Sequence, residues 1–341
     1  MICYYVFMSA KRPLWKRIIY VILIILIVAV LLFAGELLYI HLRSRSFFSV
    51  SEKAFLYPDL ENGFIPQGIE YDSSTDCFFL CGYMQDKSQP SPIYVINRSD
   101  GSLVTSATML KEDGTVFSGH SGGIALWKDL VFVAGTYDGV YVFSRNDVLS
   151  SKNGEGIKAL GLFPLTVGSE KITSSFLEVH DDILTVGEFR MQVIAPTSKS
   201  HHISTPSGKQ YAIALNYRLD SSFKLGISPE PFSAYSIPSL AQGICFTDDE
   251  ILVSTSIMLL MSKVHVYESS ALEVCGSFAG IPVYALDKSV RNEVLTTPPM
   301  LEEIQIVDGW LYCMSEFASE KYQIGKLFNT QWCWKTKIGE K

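Results

Sequence analysis

The chain has no CxxC pair and no His/Cys spacing of the finger type. Its seven cysteines (Cys3, Cys77, Cys81, Cys245, Cys275, Cys313, Cys333) are scattered. That argues against a zinc module and reads instead as small apolar residues on strands, with partners for Cys77 and Cys81 left open. No P-loop and no dinucleotide fingerprint is present, so no glycine-rich phosphate cradle is written into the chain. There is no GxSxG elbow. The tract GHSGG at 119–123 is a loose match, but it precedes a strand where an elbow must follow one. Positive charge is scarce after the N-terminus. Residues 1–46 hold six of the 28 Lys and Arg and one of the 35 Asp and Glu, leaving 22 basic against 34 acidic residues, a net of −12. Such a domain repels a phosphate backbone, which argues against nucleic acid as a partner.

Long apolar runs are missing too, with one exception. Residues 18–34 carry no charge, and the apolar character continues through 37–40 past Glu36. As a helix, residues 18–40 would be about 34 Å long, enough for a bilayer core of about 30 Å. Glu36 would sit near the far interface, where an ionised side chain costs little. Lys11, Arg12, Lys16 and Arg17 precede the run, and Arg43 and Arg45 follow it. This bias puts the N-terminus in the cytoplasm and the remainder outside. Without a small-residue cleavage site or a lipobox cysteine, the segment reads as an uncleaved signal anchor of a single-pass membrane protein. The expected division is a cytoplasmic basic segment 1–17, an anchor 18–40, a polar linker 41–52 and an ectodomain 53–335. The apolar opening MICYYVF makes Met8 a second candidate start.

What the chain does have is repetition. QGIEYDSSTDCFFLCGYM at 67–84 runs strand, polar turn, strand. The pattern recurs at 122–137, 174–189, 242–257 and 302–317. A third strand follows in four units (IYVINR, VYVFSR, YAIALNY, VHVYES), and YQIGKLF is the weaker candidate in the fifth. The anchoring residues Ile69, Ile124, Phe176, Ile244 and Ile304 lie 55, 52, 68 and 60 apart. All-strand repeats of this length predict an all-β β-propeller, because no blade can bury its two faces alone. Five blades are expected, with six open if the long third unit or the tail after Phe328 hides another. Residues 159–167, 232–238 and 282–287 read as outer strands. The segment 54–57 is expected to close the ring as fourth strand of the last blade, leaving no free edge.

Blade topology puts the starts of first strands and the ends of second strands on one face, around the channel. That mouth should gather Gln67, His120, Glu188, Gln242, Glu302 and Glu316. The long excursion 190–210 should bring His201 and His202 over it. Imidazoles with these carboxylates and Glu303 could hold a divalent cation such as calcium or zinc. Equally, Gln67 and Gln242 could simply pin neighbouring blades, His120 could be a satisfied loop residue, and the histidine pair a solvated loop. The acids of the opposite turns (Asp72, Asp76, Asp129, Asp181, Asp182, Asp248, Asp249, Asp308) read as turn chemistry.

The tracts PQGIEY, GHSGGI, VGEF with SHHISTPSG, AQGICFTDDEILVSTS and TPPMLEEIQIVDGWLYCMSEFASEKYQIGK resemble a family of secreted or membrane-anchored propeller proteins of Gram-positive bacteria, over about residues 64–328. That resemblance implies the fold and no activity. More distantly, the QGI/EEI pattern is similar to gluconolactonase and regucalcin-like propellers. They imply a mouth calcium, with only Glu302 or Glu303 matching the glutamate of their opening motif. The preferred expectation is a membrane-anchored binding module for a small ligand, envelope glycan or protein. The alternative is a metal-dependent hydrolase of lactones, esters or glycans, and a purely structural envelope protein is the third reading.

Overall fold

The computed structural model describes residues 13–338. Cys3, Met8, Lys11 and Arg12, and with them most of the basic segment, lie outside the described residues. Strand pairing resolves five blades, named here 1 to 5 with strands A to D from the axis outward. Blade 1 is Phe64–Asp72, Cys77–Met84, Pro92–Asn97 and Leu103–Leu110, and blade 2 is Ser121–Trp127, Leu130–Gly135, Gly139–Ser144 and Gly161–Phe163. Blade 3 is Phe176–His180, Ile183–Gly187, Ala212–Arg218 and Ser233–Ile237. Blade 4 is Ala241–Phe246, Glu250–Thr255, Ser262–Glu268 and Arg291–Thr297.

Blade 5 takes its A to C strands from the end of the chain, Leu301–Val307, Trp310–Ser315 and Trp332–Lys337. Its D strand is the N-terminal Ser51–Leu56, with Ser51 opposite Thr336 and Leu56 opposite Trp332. The ring is therefore closed by hydrogen bonds between the two ends of the propeller, which removes an open edge. Tyr57, just beyond the closing strand, reinforces it. Its hydroxyl donates to the Cys313 carbonyl at 3.1 Å and accepts from the Ser315 N–H at 3.0 Å.

The cores lie between blades. Phe55, Phe64, Phe78 and Met314 fill the seam of blades 5 and 1, and Phe79, Val131 and Phe143 that of blades 1 and 2. Phe132, Leu184 and Tyr217 fill the next, then Phe176 and Val253, then Leu252 and Leu311. Each seam needs both neighbours, which is why the repeats form one body rather than five. The six described cysteines are free and mostly buried in these strands. The turn acids behave as turn residues: Asp76, Asp181, Asp182 and Asp308 all sit at φ between 49° and 56°.

Three expectations are corrected. YQIGKLF is not a strand: Glu320–Phe328 is 3₁₀ helix, and the C strand of blade 5 is Trp332–Lys337. The tail after Phe328 thus completes a blade instead of hiding a sixth. Residues 282–287 do not edge blade 4. Strand Ile281–Ala285 pairs parallel with Ser233–Ile237 of blade 3, and the hairpin partner Val274–Phe278 extends that sheet further. Finally, residues 41–52 are not a linker. The N-terminal helix runs unbroken over Leu14–Ser49, about 54 Å at 1.5 Å per residue, and the closing strand starts at Ser51.

That helix is long and apolar enough to cross a membrane. Its two halves differ. From Leu14 to Gly35 every residue is exposed, whereas Ile40, Ser44 and Phe47 are buried. Their spacing of four and three puts them on one face, the face that docks on the propeller. Phe47 joins Leu252, Val264, Leu301 and Leu311 in the seam of blades 4 and 5.

Candidate functional site

The axis of the propeller is plugged. Glu303, fully buried on the inner strand of blade 5, accepts N–H bonds from Ile69 (2.8 Å) and Ile124 (3.2 Å) on one carboxylate oxygen and from Leu177 (3.3 Å) on the other. These donors come from blades 1, 2 and 3. The glycines of the repeated QGI and GGI tripeptides make the room. A Cβ on Gly68 would stand 2.9 Å from Oε2 of Glu303 and one on Gly123 2.5 Å from its Oε1. On Gly243 it would stand 2.7 Å from the Glu303 Cα. The glycines of the repeated motif therefore make a seat for one carboxylate.

Burial raises the Glu303 carboxyl well above the usual range even against those three N–H bonds. Deeper in the channel Glu70, which accepts from Gln305 Nε2 at 2.7 Å, is pushed up to about 8, chiefly by burial. Burial, with Glu70 and Glu303 nearby, also raises Glu178, one of whose oxygens has no hydrogen-bond partner.

Above the plug lies a cavity of about 690 Å³. Its lining includes Gln67 of blade 1, His120 and Thr136 of blade 2, Ser175 and Glu188 of blade 3, Gln242 of blade 4, and Glu302 and Glu316 of blade 5. Six of the seven candidate residues thus face one space, and all five blades contribute. Strand ends put them there: A strands begin and B strands end on this face, and the strands are rigid.

Each has a defined partner. Gln67 donates to its neighbouring Pro66 carbonyl, and Gln242 Nε2 donates to Glu302 Oε1 at 3.2 Å, tying blade 4 to blade 5. Burial raises Glu302 well above the usual carboxylate range, helped by the neighbouring Glu316 and Glu303 carboxyls. Glu316 Oε1 accepts from the hydroxyls of Tyr83 (2.9 Å) and Tyr322 (3.3 Å), with Lys321 Nζ at 3.6 Å. His120 Nδ1 bonds Thr136 Oγ1 at 2.9 Å, and its ring lies 4.8 Å from that of Tyr83. Crowding in the mouth lowers the His120 pKa, aided by Lys321 and Lys87. The residue is nonetheless exposed, so the imidazole is reachable from solvent.

His202 is the exception. It does not line the cavity; its ring packs edge-on against Tyr211 at 5.0 Å. Its neighbour His201 turns inward instead. His201 Nδ1 lies 3.0 Å from both oxygens of Glu188, which also accepts the Ile213 N–H at 3.0 Å. The excursion divides at this point. Residues 194–198 lie over the mouth, while Ile203–Thr205 pairs with Gly208–Gln210 in a hairpin that packs outward on Val274–Phe278.

Among the described residues no three His, Cys, Asp or Glu side chains stand together as a metal site. The mouth carboxyls already have protein partners: Glu302 is bonded to Gln242, Glu316 to two tyrosines with a lysine beside them, and Glu188 to His201 and a backbone N–H. The sequence did not point to Lys321, to Tyr322 in the segment misread as a strand, or to Phe33 in the N-terminal helix. The alternating WCWKTK at 332–337 was the signal that the strand lay further on.

Phe33 lines a second cavity of about 740 Å³ that shares Gln242, Glu302 and Glu316 with the first. Its other walls include Met191, Ile194, Met258, Leu259 and Ile324. The mouth is thus polar over the axis and apolar toward the helix.

No family model and no curated protein matches this sequence. Among solved structures, it is similar to the glutaminyl cyclase of Myxococcus xanthus at 10% identity and a TM-score of 0.42, covering 84% of this chain and 94% of that one. It is also similar to the calcium-binding protein regucalcin from Agrobacterium tumefaciens at 10% identity and a TM-score of 0.41, covering 84% and 94%. The WD40 propeller domain of Doa1 aligns at 9% identity and 0.39, covering 81% and 79%. These are similarities of strand arrangement alone, and the five-blade count rests on the pairing described above.

Proposed function

We propose that the chain is a single-pass membrane protein of the cell envelope, N-terminus in the cytoplasm, whose propeller binds a small hydroxyl- or amide-bearing ligand, or one unit of an envelope glycan, at its mouth. The observation that carries this is the convergence of Gln67, His120, Glu188, Gln242, Glu302 and Glu316 from five blades on one cavity of about 690 Å³. Ligand pockets for small molecules typically fall within about 300–1,000 Å³. The chemistry is mixed in a useful way: Glu302, Glu188 and Glu316 bring carboxyl oxygens, and Gln67 and Gln242 can both donate and accept. Such a set suits sugar hydroxyls better than a phosphate or a bare carboxylate. A metal-dependent hydrolase is the second reading, and no group of three His, Cys, Asp or Glu side chains among the described residues supports it.

The test is thermal unfolding of the full chain in nanodiscs against a panel of sugars, amino sugars and cell-wall fragments. A true ligand raises Tm saturably, by about 2.7 kcal/mol of added stability at a hundred times Kd. Gln242→Ala should abolish the shift while Asp181→Ala, on the opposite face, keeps it. A shift that survives Gln242→Ala, or no shift with any member, sinks the reading.

A further inference from the structure

The packing of the helix fixes which end of the propeller faces the membrane. At its C-terminal end Phe48 packs on Trp334 of the blade 5 sheet, 4.4 Å between centroids, and Phe47 fills the seam of blades 4 and 5. Two turns earlier, Ile40 packs on Met300, Phe317 and Phe328, which lie on the connections at the mouth face. Two further turns back, Phe33 lines the mouth cavity beside Gln242 and Glu302. From Phe33 back to Leu14 every side chain is exposed. The apolar, membrane-length half of the helix therefore leaves the propeller from the mouth face.

The surface of that face agrees. Its loop tips expose large apolar side chains: Tyr137 (73%) from blade 2, Val193 (86%) and Ile194 (76%) from blade 3, Met258 (72%) and Leu260 (60%) from blade 4. Lys87 and Lys171 line one mouth cavity and Lys321 the other. The opposite face carries the acidic turns Asp181–Asp182, Asp248–Asp249 and Asp308. Exposed apolar tips with nearby lysines, continuous with a bilayer-length helix, fit the headgroup and upper acyl region of a membrane. The acidic face would be repelled from it.

We propose that the mouth rests on the lipid bilayer and takes an amphiphile from it. The polar head sits among Gln242, Glu302 and Glu316, and the acyl chain runs along Phe33, Met258 and Leu259 toward the membrane. The apolar cavity supplies what a soluble sugar would not use: a wall of apolar side chains that includes Phe33, Met191, Met258, Leu259 and Ile324, joined to a polar floor. This deepens the mouth-ligand reading and rests on it.

The test uses the full chain in nanodiscs of phosphatidylcholine brominated on its acyl chains. In a Cys3→Ser, Cys275→Ser background, a fluorophore is attached at Ile194→Cys, Met258→Cys or Asp181→Cys. Strong quenching is expected at 194 and 258 and none at 181. In parallel, lipid retained after exchange into detergent is identified by mass spectrometry. One amphiphile per chain is expected in the wild type, with loss in Gln242→Ala and in Ile194→Asp, whose exposed position spares the fold. Absence of quenching at 194 and 258, or equal quenching at 181, overturns the proposal. So does retention that is absent from the wild type, or undiminished in the two variants. A soluble sugar that shifts Tm while no lipid is retained overturns this proposal alone and leaves the mouth reading standing.

Discussion

Glu303 Oε2 accepts the backbone N–H of Ile69 at 2.8 Å across 234 positions of sequence, so one side chain of the last blade is bound to the first. The same carboxylate also holds blades 2 and 3, which makes it the hub of the inner ring.

Glu303→Ala should therefore be among the most damaging single changes. It leaves three buried N–H groups unpaired at about 1–3 kcal/mol each, of which relaxation recovers part. Glu303→Gln keeps an acceptor oxygen and should cost much less. Chemical denaturation of the two variants decides it; if the Ala variant stays within about 0.5 kcal/mol of wild type, the hub role is wrong.

The pH dependence follows from the channel acids. Glu70 has an ordinary value of 4.5 and is pushed up to about 8, and burial also raises Glu178 and Glu303. The folded state then binds protons that the unfolded state has lost. The Glu70 contribution is fully present below about pH 4.5 and is lost as pH rises through about 8, at up to about 1.4 kcal/mol per unit, and Glu178 and Glu303 act in the same direction. Asp287, lowered to about 2 by hydrogen bonds from Ser289 and the 205–207 turn despite its desolvation, acts oppositely. Its contribution is present above the usual aspartate value and disappears in stronger acid. Maximum stability is expected near pH 5, and Glu70→Gln should flatten the alkaline slope. A profile that rises from pH 5 to 8 contradicts this.

Ring closure can be tested without deletion. Phe55 and Tyr57 are 2% and 4% exposed in the seam that joins the chain ends. Phe55→Ala should cost about 3–5 kcal/mol and promote aggregation through the freed edge. Tyr57→Phe, which removes two hydrogen bonds and no packing, should cost about 1–3 kcal/mol. Melting curves and light scattering of the full chain check both; an unchanged Phe55→Ala melt would mean that another segment closes the ring.

Orientation is checked from outside. Protease added to cells stripped of their wall should digest the chain beyond residue 50 and leave a helix-sized, membrane-bound fragment. A propeller that resists digestion until lysis, while an unrelated surface protein is cut, places it in the cytoplasm. Phe47→Asp should release the docked half of the helix and create an early cleavage site near residues 41–49.

The sequence determined the repeat, because strand pairs around a turn impose period-2 patterns and turn residues that recur every 52 to 68 positions. It also determined the long apolar N-terminal helix, since its apolar run is visible locally, and the ring of mouth residues, since blade topology fixes where strand ends meet. His201 and His202 could not be told apart, for adjacent residues point in different directions and only packing against Phe278 and Tyr211 chose between them. The role of the QGI glycines was equally hidden. It depends on Glu303, a residue 235 positions from Gly68, arriving on the axis. The helical span beyond residue 40 was invisible for a related reason. Its polar residues read as a linker, and only the seam of blades 4 and 5 supplies the surface against which Ile40, Ser44 and Phe47 stay helical. Local pattern decided what the pieces are; the long-range packing of one blade on another decided what each piece is for.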